Sequence, residues 1–176
     1  AHQAENLQAQ IARWIGTDEP QSTLLLSPPG YGKTTLLREW VRYFSDRGFT
    51  AAIADERSEI AALADGVPQL AVGRCTDVME GCSKWQAAVM LLKTMSPALL
   101  ALDEITAPED AKAVSLCTHC GTAVIACAHA AGLDDLRQRP IYRELLALGA
   151  FHQAVIIEKQ DGQRVYRMER WEETKC

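Results

Sequence analysis

The stretch Ser27-Pro-Pro-Gly-Tyr-Gly-Lys-Thr-Thr35 carries the groups needed to hold a polyphosphate. From Gly30 on it fits the phosphate-loop pattern G-x-x-x-x-G-K-S/T, with Ser27 standing where that pattern opens on glycine. Gly30 and Gly32 allow the sharp turns and close approach that aim successive backbone N–H groups at phosphate oxygens. A helix opening at the same place adds about half a positive elementary charge. Lys33 is then placed for the β- and γ-phosphates and the Thr34 hydroxyl for Mg²⁺, with Pro29, Tyr31 and Thr35 completing the nucleotide-binding loop. Two prolines follow Ser27 and bias it towards extended backbone, so it is expected to finish the preceding strand.

A second group with chemical reach is Leu99-Leu-Ala-Leu-Asp-Glu104. An apolar run ending in an acid suits a carboxylate that holds Mg²⁺ directly or through water, the role expected of Asp103. Glu104, immediately after it, is placed to polarise a water for attack on the γ-phosphate, work that contributes about 10²–10⁴ in rate. Asp55-Glu56 close another apolar run and are read either as members of the same site or as solvated acids. His129 closes a third run, where a γ-phosphate-sensing role stands against the structural role of most lone histidines. Arg57 and Arg74 are read as surface arginines or as arginine fingers acting across a subunit boundary.

These residues share a site only if a parallel sheet brings them to one rim, since ligands of open α/β sheets bind beyond the carboxyl ends of the strands. The pattern supplies such a sheet. Leu7, Ile11, Trp14 and Ile15 mark a helix over Ala4–Ile15, and Leu36, Leu37, Trp40, Val41 and Phe44 another that follows the phosphate loop and ends near Asp46-Arg-Gly48. Strands are expected at Thr23–Leu26, Phe49–Ala54, Ala98–Leu102 and Thr122–Cys127, with a further short one at Gln69–Val72. Helices are expected over Lys84–Met95, Glu109–Cys120 and, in parts around Pro140, Leu133–Leu148; Ser58–Leu63 is a brief turn or helix. Asp65–Pro68 and Arg74–Ser83 read as loops, and Gln153–Lys159 with Arg164–Met168 as a hairpin about Asp161-Gly162. The expected class is a three-layer α/β fold of the P-loop NTPase kind, with a mainly parallel sheet and a C-terminal antiparallel hairpin.

Composition narrows the partners. A length of 176 residues suits one domain with a sizeable core. A formal net charge of −5 without a basic stripe argues against nucleic acid as the main partner. No apolar run approaches the ~20 residues of a membrane span, and no signal peptide is expected. Its first residue is Ala1 rather than Met, so an N-terminal part of the natural protein is expected to be missing. The six cysteines are Cys75, Cys82, Cys117, Cys120, Cys127 and Cys176. They read as reduced thiols, and the Cys117-Thr-His-Cys120 spacing, lacking a second such pair, as buried thiols rather than zinc ligands.

Taken together, Ser27–Thr35, Asp55-Glu-Arg-Ser-Glu-Ile60, Thr76-Asp-Val-Met-Glu-Gly-Cys82, Met95-Ser-Pro97, Leu102-Asp-Glu-Ile105 and Ala126-Cys-Ala-His129 resemble the stage III sporulation protein AA family. These are ATPases of spore-forming bacteria related to the type II and type IV secretion ATPases. The resemblance covers Leu24 to Met168 and implies a RecA-like ATPase domain over residues 23–176, preceded by a linker helix within residues 1–22 and by a further N-terminal domain ahead of it. It implies that Lys33 and Thr34 lie in a Walker A loop, Asp55 and Glu56 in an aspartate box, Asp103 and Glu104 in Walker B, and His129 in a histidine box. Tyr31 within the loop and Cys127 in place of a threonine depart from the family pattern.

The expected function is Mg²⁺-dependent ATP hydrolysis by a secretion-type motor, energising assembly of, or transport through, the channel between mother cell and forespore. Thr34, Asp103 and Asp55 are expected at the metal, and Glu104, Glu56 and His129 in catalysis and its coupling to subunit movement. The resemblance also implies a homo-hexamer, membrane proteins of the channel as partners, and a place in the mother-cell cytoplasm against the membrane. A nucleotide-gated scaffold with little turnover and a nucleic-acid-remodelling ATPase remain alternative readings.

Overall fold

Short apolar runs such as Leu24–Leu26 and Leu99–Leu102 are buried on both alternations, because helices cover both faces of the sheet they form. The structure, a computed structural model, describes residues 2–171. In chain order its elements are α1 (His2–Trp14), β1 (Thr23–Ser27), α2 (Lys33–Ser45), β2 (Ala51–Asp55), β3 (Leu63–Ala64), β4 (Val67–Pro68) and β5 (Thr76–Glu80). They continue with α3 (Lys84–Met95), β6 (Leu99–Glu104), α4 (Pro108–His119), β7 (Ala123–His129), α5 (Leu133–Arg137), α6 (Pro140–Ala147), β8 (Gln153–Gln160) and β9 (Gln163–Arg170).

Seven strands form one sheet in the order β5-β2-β6-β7-β1-β8-β9. Every neighbouring pair is parallel except β8 with β9, which turn back on each other about Asp161-Gly162. Both turn residues have positive φ, 50° and 77°, as a two-residue hairpin of primed type requires. One face of the sheet is covered by α1 and α2 through Leu7, Ile11, Leu36, Trp40 and Phe44. The other is covered by α3 to α6 through Ala88, Leu91, Val114, Leu136 and Leu145. The result is the expected three-layer α/β arrangement with a parallel sheet and a C-terminal antiparallel hairpin.

Local chemistry fixes the ends of the helices. The Ser83 hydroxyl accepts from the Gln86 N–H at 3.2 Å to open α3, and Ser96 in left-handed backbone closes it ahead of Pro97. The Asp110 carboxylate accepts from the N–H groups of Thr106 and Ala107 at 2.9 and 3.0 Å, tying the start of α4 to the segment after β6. The segment expected to be helical in parts is two helices: Arg139, in extended backbone, separates α5 from α6, and Pro140 takes the first turn of α6.

Two expectations give way. Gln69–Val72 is not a strand: the N–H groups of Gln69 and Leu70 both turn in to Ala61 O, and the short pairing is instead β3 with β4 about Asp65-Gly66. Within the Arg74–Ser83 segment, read as a loop, Thr76–Glu80 is a parallel strand against β2, in register from Ala51 opposite Thr76 to Asp55 opposite Glu80. Its polar side chains suit an edge strand with one neighbour, which alternation of apolar residues does not reveal.

The segment after β2 is held from inside. Asp55 is 1% exposed, and its Oδ1 accepts from Glu59 and Ile60 N–H at 2.9 and 3.1 Å. Its Oδ2 accepts from Ile60 and Ala61 N–H at 3.1 and 2.9 Å. Asp55→Ala strands three amide donors and is expected to lower stability by about 3 kcal/mol or more in urea unfolding. An unchanged midpoint would contradict this internal role. Gly73 marks a second tight spot: at φ +96°, a Cβ there would meet the Ser45 Cβ at 2.3 Å. Gly73→Ala is therefore expected to cost about 2–4 kcal/mol in the same assay, from left-handed strain and overpacking together.

Candidate nucleotide site

The strand order sets the residues of interest side by side. β6, β7 and β1 are parallel neighbours, so Glu104, His129 and Ser27 leave the sheet at one rim, with Ser27 opposite His129 in register. Between β6 and β7 the pairing steps from Leu102 to Glu104, which leaves Asp103 as the extra residue of a bulge. Such a bulge re-aims the side chain it carries. From Ser27 the chain turns through Gly30 and Gly32, at φ 80° and 88°, and enters α2 at Lys33.

These ends enclose a cavity of about 360 Å³. Its walls carry three cations, Lys33, Arg57 and Arg164, and three acids, Glu59, Asp103 and Glu104, together with Thr34 and His129. Lys33 is only 7% exposed. Its ammonium donates to Ser27 O at 3.0 Å, Ser27 Oγ at 3.2 Å, Pro28 O at 3.3 Å and His129 Nδ1 at 2.7 Å. Because Nδ1 accepts, the ring proton belongs on Nε2, which donates to Glu104 Oε2 at 2.8 Å. Burial pulls the Lys33 pKa below the usual lysine range, opposed by the carboxylates of Glu104 and Asp103. Burial, with Asp103 next, pushes the Cys127 thiol up, so the residue beneath His129 is a neutral S–H at ordinary pH.

Of the residues expected at the nucleotide, Gly30, Gly32, Lys33, Thr34 and Thr35 line the cavity, whereas Pro29 and Tyr31 do not. The Tyr31 ring turns instead to Lys159, whose Nζ stands 4.5 Å from its centroid. Asp103, Glu104 and His129 all reach the cavity. Asp55 and Glu56 are not among the residues that line it. The Asp55 oxygens accept instead from the backbone N–H groups of Glu59, Ile60 and Ala61. Glu56 pairs with Lys84 at 3.0 Å, on the side of α3. Arg57 lines the cavity, while Arg74 donates to Asp46 O at 3.0 Å, beyond the far end of α2.

Two lining residues escaped the sequence reading. Glu59 belongs to the Asp55–Ile60 run, and its distance from Asp55 was the available signal. Arg164 comes from the hairpin, and its guanidinium lies so close to the loop that a Cβ on Gly32 would stand 3.0 Å from its Cζ. Nothing in the hairpin pattern announces that approach. The Thr34 hydroxyl and Asp103 carboxylate give the cavity the oxygen donors that suit Mg²⁺, which takes few protein ligands when phosphates supply the rest. Cys117 is buried, its thiol pushed up to about 12 by burial, whereas Cys120 is exposed, contrary to the expectation of a buried pair. Cys176 lies outside the described residues.

The family model for sporulation stage III, protein AA matches residues 1–168. Stage III sporulation protein AA of Bacillus subtilis (strain 168) is 36% identical over 146 residues, which are 80% of this chain and 48% of that protein. The chain thus spans about half the length of that relative. Among solved structures, the ATPase DotB of Legionella pneumophila shares the fold with a TM-score of 0.63 at 16% identity, over 92% of this chain and 47% of that one. The VirB11 ATPase from the Brucella suis type IV secretion system, solved in complex with sulphate, does so with a TM-score of 0.65 at 15% identity, over 93% of this chain and 50% of that one. A family match over nearly the whole chain, on the fold shared with the secretion ATPases, makes this chain a member of the sporulation stage III, protein AA family.

Proposed function

We propose that this domain binds and hydrolyses Mg²⁺-ATP, as the motor part of a longer protein acting in endospore formation. The observation that carries the reading is the convergence of Lys33, Thr34, Asp103, Glu104 and His129 on one cavity at the carboxyl rim of the sheet. The glycine-turned loop and the N-terminus of α2 offer backbone N–H groups to the phosphates, and the Lys33 ammonium exchanges its loop carbonyls for phosphate oxygens. Thr34 and Asp103 would hold Mg²⁺, which would supply charge neutralisation at the phosphates. Glu104 acts as base towards the attacking water, and His129, bonded to both Lys33 and Glu104, reports whether the γ-phosphate is in place.

The family relation extends the proposal to the cell. The domain would work in the mother cell at the membrane face, as a homo-hexamer that energises assembly of, or transport through, the channel to the forespore. Membrane proteins of that channel would be its partners, and nucleic acid would not. Among the described residues no helix is long and apolar enough to cross a membrane.

Lys33→Ala is expected to abolish nucleotide binding measured by calorimetry. Glu104→Gln should bind ATP as the parent does and turn it over about 10²–10⁴-fold more slowly; unchanged turnover in that variant sinks the assignment of the base. Specific activity that rises with protein concentration would mark a site completed by a neighbouring copy, whereas a flat profile would oppose the ring.

A further inference from the structure

Lys84 stands where a lysine is costly. It is 7% exposed, and it opens α3, the end of a helix whose dipole disfavours a cation. Its ammonium meets two acids on two different segments, Glu56 Oε2 at 3.0 Å and Asp110 Oδ2 at 3.5 Å. Glu56 directly follows β2 and Asp110 lies in the first turn of α4, which follows β6; β2 and β6 are parallel neighbours. Each acid leads to the nucleotide cavity. Glu56 is succeeded by Arg57, which lines it, and Asp110 holds the two amides that come second and third after Glu104. We infer that Lys84 is a positioning residue for ATP hydrolysis, fixing through Asp110 the chain that leaves Glu104 and so the aim of the Glu104 carboxylate. The inference rests on the hydrolase reading of the cavity and adds what holds its base in place.

The chain beyond Glu104 is held residue by residue. Ile105 N–H donates to Cys127 O at 3.2 Å, and the buried Tyr142 hydroxyl donates to Ile105 O at 2.7 Å. The next two N–H groups, of Thr106 and Ala107, both end on Asp110 Oδ2, at 2.9 and 3.0 Å. The same oxygen faces Lys84. The ammonium therefore sets where that oxygen stands, because it ties Asp110 to α3 and, through Glu56, to the segment after β2. Without it Oδ2 keeps its amide partners and loses that tie, and the Thr106–Ala107 turn moves with it. A shift of about 1 Å in a catalytic group, made from a distance, costs about 10²-fold in rate.

The test is steady-state turnover of Mg²⁺-ATP, with each rate taken per folded molecule as judged by circular dichroism. Lys84→Met is expected to lower kcat about 10–10²-fold and to leave KM within about twofold. Lys84→Arg, which keeps the charge, is expected to recover most of that loss. In the Glu104→Gln background, Lys84→Met should change the remaining rate by less than about twofold, because the group it aims is gone. The same loss in both backgrounds, a change in KM alone, or an unchanged kcat overturns the inference and leaves the phosphate site standing. Should Lys84→Met not fold, Glu56→Gln carries the test, since its side chain is 41% exposed and loosens the same ammonium. Its expected loss in kcat is about threefold, the scale of a half-exposed ion pair, and vanishes in the Glu104→Gln background; an equal loss there, or none in either, overturns the inference. If the unaltered chain does not hydrolyse ATP, the hydrolase reading itself fails and takes this inference with it.

Discussion

A buried ammonium has to be surrounded by acceptors, and the candidate site is arranged around that demand at Lys33. Ser27 meets it twice, through its carbonyl and its hydroxyl, and Pro28 and His129 supply the others. The serine that departs from the glycine of the phosphate-loop pattern therefore has a task of its own. Because the ammonium donates to His129, the imidazole hands its remaining proton to Glu104. One chain of hydrogen bonds thus ties the loop, the end of β7 and the end of β6. The positions of Lys33, His129 and Glu104 are thereby coupled by contact.

Behind the carboxylates stands a second buried cation. Lys84, with its side chain 8% exposed, lies 3.0 Å from Glu56 and 3.5 Å from Asp110. Asp110 in turn holds the N–H groups of Thr106 and Ala107, two and three residues past Glu104. Through Lys84 and Asp110, Glu56 is linked to the backbone that follows Glu104. Each member of the Lys84–Asp110 pair keeps a further partner, Glu56 for the ammonium and the Thr106 and Ala107 N–H groups for the carboxylate.

Most of the sheet was legible in the sequence because its central strands are buried on both faces and read as unbroken apolar runs ending in polar residues. Lys33, Thr34, Asp103, Glu104 and His129 could be grouped from strand ends alone. What stayed hidden depends on tertiary approach. Thr76–Glu80 pairs on one edge only, so its backbone is fixed by β2 while its side chains stay polar. Asp55 looks like a site acid at a strand end, yet its partners are backbone amides four to six residues on, and no residue type signals them. Arg164 reaches the phosphate loop because the hairpin folds beside β1 and Gly32 lacks a side chain to keep it away.

The outer strands of the sheet have a consequence of their own. β5 presents Asp77 and Glu80, and β9 presents Arg164, Arg167 and Glu169, with Arg167 paired to both Glu158 and Glu169. Charged flanks of this kind discourage an incoming strand, since it would have to dehydrate them before its own backbone could bond. Lateral addition of a strand is thereby disfavoured at both edges of the seven-stranded sheet.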